Sequence, residues 1–293
     1  MVKVAGIQIT ATGDVQTNLD KALELAALAV ERGAGLLVFP ELCTTKWFPA
    51  RMRQSSFELA ETIPGPSTDR IAKFAVNNTT VVVLPIFEKG GKGRYYNSAA
   101  VIDADGSLLG TYRKIHIPNV MGWHEKFYFL PGDLGFPVFK TRAGRIGIQI
   151  SWDVYFPEGS RILALKGADL IVVPTSNAHH NNERWERMIA GNALANSVYF
   201  LRVNRVGREE KQSFYGKSFC MNPHGELLHR PAGARDSVHM SAIDPDEVSR
   251  TREEWAFFRD RREDQYGDIT SRLPSADSFG LPSGLYSGGI ENE

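Results

Sequence analysis

The chain has 293 residues, 42% hydrophobic and 23% charged, which is the make-up of an ordinary globular protein. The length allows one large domain or two small ones, with ample material for a core. Lys plus Arg and Asp plus Glu both number 34, so there is no basic surplus of the kind that binds nucleic acid or an anionic membrane surface. The opening MVKVAGIQIT alternates as a strand does. Its apolar stretch is too short for a signal peptide and no small-residue cleavage site follows. Asn18 to Arg32 carries apolar residues at helical spacing and is stopped by Gly33 and Gly35. LLVFPE is the next strand, Ser67 to Asn78 a second helix, and TVVVLPIFE a third strand. YYNSAAVIDADGSLLGTYRK predicts a hairpin turning at Asp103-Ala104-Asp105-Gly106. Gly147 to Ile150 predicts a strand, Pro157 to Gly167 a helix, ADLIVVPTS a strand, and Trp185 to Asn196 a helix. VYFLRVNRVG and KSFCMNPHGELLHR are strands, the second turning at Asn222 to Gly225. REEWAFFRDRRED has the spacing of one more helix with aromatics on one face. The Ser- and Gly-rich end has little periodicity and reads as a tail that is loose or packed on another chain.

Strands alternate with helices, but hairpins interrupt the alternation. Mixed sheets packed face to face, with helices outside, fit this order better than one parallel doubly wound sheet. No stretch approaches the roughly 18 apolar residues of a membrane helix, so no membrane partner is expected. The two cysteines, Cys43 and Cys220, lie far apart. A disulfide framework is not expected, and a reducing cytoplasm is the default. No CxxC, HExxH or EF-hand pattern occurs, so no metal is expected. Both cysteines read as packed thiols. His179 and His180 invite a metal reading, but adjacent side chains rarely ligate one ion, and a polar substrate-contact loop after a strand fits better.

Three polar residues stand at or just past the end of an apolar strand. Glu41 follows GLLVFP, Lys114 follows GSLLGTYR, and Ser151 follows GRIGIQI. Loops converge at strand ends, and sites form there. A carboxylate base, an ammonium facing developing negative charge and a small nucleophile would make a hydrolytic centre. Each residue alone also has a plainer reading: Glu41 as a surface strand end, Lys114 with Arg113 as a solvated basic pair, Ser151 as a turn residue.

FPEL at Phe39 to Leu42, YRKIHIP at Tyr112 to Pro118 and SWDVYFPE at Ser151 to Glu158 resemble the three signature blocks of the nitrilase superfamily. These are carbon–nitrogen hydrolases acting on amides, carbamoyl groups or nitriles. The three positions lie 73 and 37 residues apart (114 − 41 and 151 − 114), in the family's order. The resemblance spans residues 1–265 and includes VPTS at Val173 to Ser176 and NRVG at Asn204 to Gly207. It implies a mixed α/β, four-layer α-β-β-α sandwich for residues 1–265, with residues 266–293 a tail at a dimer interface. It also implies a homodimer or higher homo-oligomer and chemistry without a cofactor. Glu41 matches the family's base, Lys114 its lysine and Ser151 its nucleophile position. GWHEKFYFLPGD resembles the stretch carrying a second, substrate-positioning glutamate, which points to Glu125. A loop carboxylate paired with Lys126 is the plainer reading of that residue. Trp152, Trp47 and Asn177 are candidate substrate contacts, and Trp123 is a further candidate to line the pocket.

The family nucleophile is Cys, and here it is Ser151. A thiol ionises near pH ~8.5, whereas a hydroxyl is far harder for a carboxylate to deprotonate. The simplest account is an engineered Cys-to-Ser exchange. A natural pseudoenzyme fits less well, because the other charged residues would then be a burial cost without use. The residues after Ser151, and the stretches EKFYFLPGDLGFPVF and DVYFPEGSRILALKGADLIVVPT, resemble the N-carbamoylputrescine amidase and carbamoyl amidohydrolase branch. The implied substrate is a small linear amide or carbamoyl compound. A nitrilase, a thioester-dependent acyltransferase and a non-catalytic binding protein are the alternatives.

Overall fold

The computed structural model describes residues 1–178 and 181–271. Met1 to Trp255 forms one compact unit and a second begins at Ala256. The first half of the larger unit runs β1 (Val2–Gln8), α1 (Val15–Glu31), β2 (Leu36–Val38), α2 (Pro66–Asn78), β3 (Val81–Lys89), β4 (Tyr95–Ile102) and β5 (Leu108–Arg113). A short pair follows, β6 (Asn119–Val120) and β7 (Trp123–His124), then the single helical turn α3 (Glu125–Tyr128). Next come β8 (Val138–Thr141), β9 (Gly144–Ile148), α4 (Pro157–Leu165), β10 (Leu170–Thr175), α5 (Asn182–Asn196) and β11 (Tyr199–Asn204). The hairpin β12 (Val206–Glu209) and β13 (Gln212–Tyr215) leads to β14 (Phe219–Met221), β15 (Ser237–Ile243) and α6 (Pro245–Glu254).

Two sheets organise these elements. One has the order β15-β1-β2-β3-β4-β5 and the other β14-β11-β10-β9-β8. The period of two in each strand divides its side chains between two faces. Val4, Val38, Val83 and Val101 of the first sheet share one core with Ile146, Val172, Leu201 and Cys220 of the second. On the outer face of the first sheet, Ala5, Ile7, Leu37 and Leu84 pack with Leu19 and Ala26 of α1 and Ile71 of α2. On the outer face of the second, Ile171, Val173 and Phe200 pack with Leu163 of α4 and Ile189 of α5. The result is the expected α-β-β-α layering.

Local chemistry sets where the elements begin and end. Helix α1 starts three residues before Asn18 because the Asp14 carboxylate accepts from Thr17 N at 2.7 Å and caps it. The stretch VYFLRVNRVG, read as one strand, divides into β11 and β12 at Arg205. There the buried guanidinium reaches the carbonyls of Glu41, Leu42 and Thr45. Strand β15 was not legible as an element, yet it pairs antiparallel with β1 along its whole length. The helix expected over REEWAFFRDRRED is corrected: α6 starts at Pro245, capped by Asp244, and ends at Glu254 with Trp255 extended. Within the smaller unit, Glu263–Gln265 and Gly267–Thr270 form 3₁₀ turns. Most of the tail foreseen at 266–293 lies outside the described residues.

Strands β1, β2 and β3 are parallel, and β5 runs the same way after two antiparallel steps. Glu41 and Lys114 therefore leave the first sheet on one edge. In the second sheet β9, β10 and β11 are parallel, and Ser151, Ser176 and Arg205 follow their C-terminal ends.

Candidate active site

Lys114 is the centre of the site and is almost wholly buried. Its Nζ donates to Glu41 Oε1 at 2.8 Å and to both Glu125 oxygens at 2.9 and 2.7 Å. The plainer readings of these residues therefore do not hold: Glu41 and Glu125 are buried too, and Lys114 is no solvated neighbour of Arg113. Arg113 turns the other way, to Glu88 and Asp133. Glu41 is fixed by two further donors. Asn97 Nδ2 reaches Oε1 at 2.8 Å and Ser176 N reaches Oε2 at 2.9 Å. One ammonium faces two carboxylates out of water. Burial works against the Lys114 charge, but Glu125 and Glu41 outweigh it and hold the lysine above its ordinary pKa. Burial pushes Glu125 up from 4.5 to about 8, with Lys114 opposing and Glu41 adding to the rise.

Ser151 follows β9 at the first position of a 3₁₀ turn, Ser151–Tyr155, with φ at +48°. A side chain other than glycine is strained in that region, and such strain gathers at functional turns. The turn is held by Asp153, which is fully buried. Its Oδ2 accepts from Ile150 N at 3.0 Å and from Tyr112 Oη at 2.6 Å. Its Oδ1 accepts from His116 N at 2.9 Å and lies 2.8 Å from His116 Nδ1. Tyr112 and His116 flank Lys114 by two residues on either side, so one carboxylate ties the lysine segment to the Ser151 turn.

The loop after β2 is held by Arg205. The guanidinium donates to Glu209 Oε1 at 2.7 Å, to Ser176 Oγ at 3.1 Å and to three carbonyls of the loop. Glu209 Oε2 in turn accepts from Trp47 N at 2.6 Å.

Of the predicted catalytic residues, Glu125 and Ser151 line a narrow cleft of about 60 Å³, with Trp152, Trp123, Asn177 and Trp185, while Glu41 and Lys114 lie behind its surface. A wider groove of about 400 Å³ past Phe57, Tyr95 and Phe127 holds none of the four predicted catalytic residues. Trp152 and Asn177 line the cleft. Trp47 does not: it packs behind Trp123, ring centroids 6.2 Å apart, in an aromatic cluster with Phe214. His179 and His180 lie outside the described residues. Cys43 is buried, with Sγ 3.3 Å from Pro85 O, and burial pushes its thiol up to about 12. Cys220 sits in the core between the sheets. Among the described residues no cluster of His, Cys, Asp and Glu could hold a metal ion.

The carbon-nitrogen hydrolase family profile matches residues 3–253. The chain belongs to this family. It is 36% identical to the N-carbamoylputrescine amidase of Solanum lycopersicum, over 91% of this chain and 94% of that protein. It is 34% identical to the citrullinase of Francisella tularensis subsp. tularensis, over 92% of this chain and 99% of that protein. A crystal structure of a carbon-nitrogen hydrolase from Helicobacter pylori G27 superposes with a TM-score of 0.89 at 32% identity, covering 93% of this chain and 99% of that one. Family members are hydrolases of carbon–nitrogen bonds other than peptide bonds, and the four-layer architecture is theirs.

Sequence reasoning found Glu41, Lys114, Ser151 and Glu125 but not Asn97, Asp153 or Arg205. A faint signal existed for each: a polar Asn-Ser pair inside the apolar strand YYNSAAVI, an Asp in the signature block, and the NRVG stretch.

The raised Glu125 pKa has a consequence for stability. Folded Glu125 holds its proton up to about pH 8, whereas the unfolded chain releases it near 4.5. Between those values the folded state carries the extra proton, so the contribution of Glu125 to stability is fully present below 4.5 and is lost as pH rises through about 8. The melting temperature is expected to decline across this window and to decline less in Glu125→Gln. Equal slopes in thermal melts of the two proteins would rule out Glu125 as the titrating group.

Proposed function

We propose that this protein is built to hydrolyse a linear amide or N-carbamoyl group through a nucleophile at position 151, and that Ser151 leaves it nearly inactive. The observation that carries this reading is the buried Glu41–Lys114–Glu125 cluster, whose Glu125 shares one cleft with the strained Ser151 turn. A buried charge triad is costly to maintain and stabilises poorly for what it costs, which favours a chemical role. With Cys at 151, Glu41 takes the thiol proton as sulfur attacks the carbonyl carbon. Lys114 and the Trp152 N–H hold the oxyanion. The proton passes to the departing nitrogen, ammonia leaves, and water activated by Glu41 cleaves the thioester. Glu125 holds Lys114 and the substrate nitrogen in line. The relatives named for carbamoylputrescine and citrulline, which share a terminal ureido group, support a carbamoyl substrate. Ser151 itself favours a second reading, a binding protein that retains the pocket without turnover.

Ser151→Cys is expected to gain release of ammonia from carbamoyl or amide compounds, assayed against a panel that includes nitriles. A folded Ser151→Cys protein as inactive as its parent on the whole panel would overturn the hydrolase reading and leave the binding one. In the Ser151→Cys background, Glu125→Gln should lower turnover by roughly 10²-fold or more, because misplacing the carbonyl loses both orientation and oxyanion stabilisation. A solvent-exposed pair would contribute only about 0–1 kcal/mol, so near-normal turnover would remove Glu125 from the chemistry.

The protein also works, in this reading, as a homodimer or larger assembly in the cytoplasm. Leu165 of α4 and Leu194 of α5 are exposed on the outer helical layer, which supports a subunit contact there. Two buried free thiols, Cys43 and Cys220, fit a reducing compartment. No helix among the described residues is long and apolar enough to cross a membrane. Light scattering at micromolar concentration should give a mass of at least twice 32.6 kDa, and a monomer mass would refute the assembly.

A further inference from the structure

Two buried arginines lie three positions apart at the end of β11, and they differ in one respect. Arg205 has the Glu209 carboxylate and a full set of acceptors. Arg202 is equally buried but has no carboxylate within ion-pair distance among the described residues. Its acceptors are neutral: Tyr215 Oη at 3.0 Å, Asn182 Oδ1 at 3.3 Å and Lys217 O at 3.4 Å. Its Nε has no acceptor. Glu186 contributes some attraction from further off, with its carboxylate engaged by Asn182. An arginine does not shed its charge, so a full positive charge stands here in a low-dielectric wall with no carboxylate paired to it among the described residues.

That wall borders the cleft. Arg202 lies over the Trp185 ring, 4.6 Å from its centroid, and Trp185 lines the cleft. Trp185 Nε1 is a second buried donor without an acceptor. Tyr215 Oη accepts from both Arg202 and Asn177, 3.1 Å from the latter, and Asn177 lines the cleft as well. The Tyr155 phenol, also on the lining, is raised by burial while Arg202 and Arg184 pull it down. The field of the arginines therefore reaches the cleft surface. Among the described lining residues the only carboxylate is Glu125, which is occupied by Lys114. A distal ammonium would therefore find no free carboxylate among the described lining residues.

We infer that Arg202 makes the far end of the cleft anion-selective, so that the substrate is an amide or carbamoyl compound bearing a carboxylate at its other end. The inference rests on the hydrolytic reading of the cleft and specifies its substrate class. Arg202 acts through a wall one side chain thick, as a specificity residue, by charge and by orienting Asn177 through Tyr215.

Three carbamoyl compounds of similar length test it: N-carbamoyl-γ-aminobutyrate, N-carbamoylbutylamine and N-carbamoylputrescine, which end in a carboxylate, a methyl group and an ammonium. In the Ser151→Cys protein, kcat/KM should favour the carboxylate over the ammonium by at least about tenfold, chiefly through KM. Arg202→Met should collapse that ratio. Equal or better use of the ammonium compound by Ser151→Cys overturns the inference, whether or not the Arg202 variant folds. If none of the three is turned over, the hydrolytic reading fails separately. Calorimetric titration of the Ser151 protein with the same compounds then decides: tighter binding of the carboxylate upholds anion selectivity, and no discrimination or no binding overturns it.

Discussion

Everything at the strand ends depends on one buried ammonium held between two carboxyl groups, those of Glu41 and Glu125. Lys114 cannot stay charged away from water without Glu41 and Glu125, and neither carboxylate could be buried without the lysine. Removing one partner of such a set strands the others, a loss of about 3–5 kcal/mol for buried pairs in general. The cluster therefore fixes three chain segments together: the loop after β2, the end of β5 and the turn α3. Glu125 in particular sits on a single helical turn with little structure of its own, and its hydrogen bonds from Lys114 are what give that segment a defined place.

Around the cluster a second set of interactions fixes the backbone. Asp153 binds four donors that belong to the Ser151 turn and to residues flanking Lys114. Arg205 binds carbonyls in the Glu41 loop, which leaves the hydrogen-bonding of the first sheet at Val38. Carbonyls that leave a sheet must find donors elsewhere when buried, and a guanidinium with five donors can satisfy several at once. The position of Glu41 is thus set by an arginine 164 residues away in sequence.

Ser151 sits in this frame at a positive φ, a conformation that costs a serine energy. The charge cluster, the strained turn and the cleft agree with one another.

The sequence by itself determined the layered class, most helices and strands, and the positions of Glu41, Lys114, Ser151 and Glu125. Hydrophobic periodicity is local, and the signature blocks are short, so both survive in one dimension. It could not determine that β15 returns to pair with β1, because strands that meet across more than 200 residues leave no local trace. Nor could it place Trp47 behind Trp123 instead of on the cleft, since ring packing is decided by which loops meet. The roles of Asn97, Asp153 and Arg205 likewise arise only when separate strand ends converge. The contrast between Arg202 and Arg205 is the clearest case: both are polar interruptions of one strand pattern. Only the tertiary structure gives one a carboxylate and leaves the other's charge unpaired against the cleft wall, because burial and counter-charge are properties of neighbours distant in the chain.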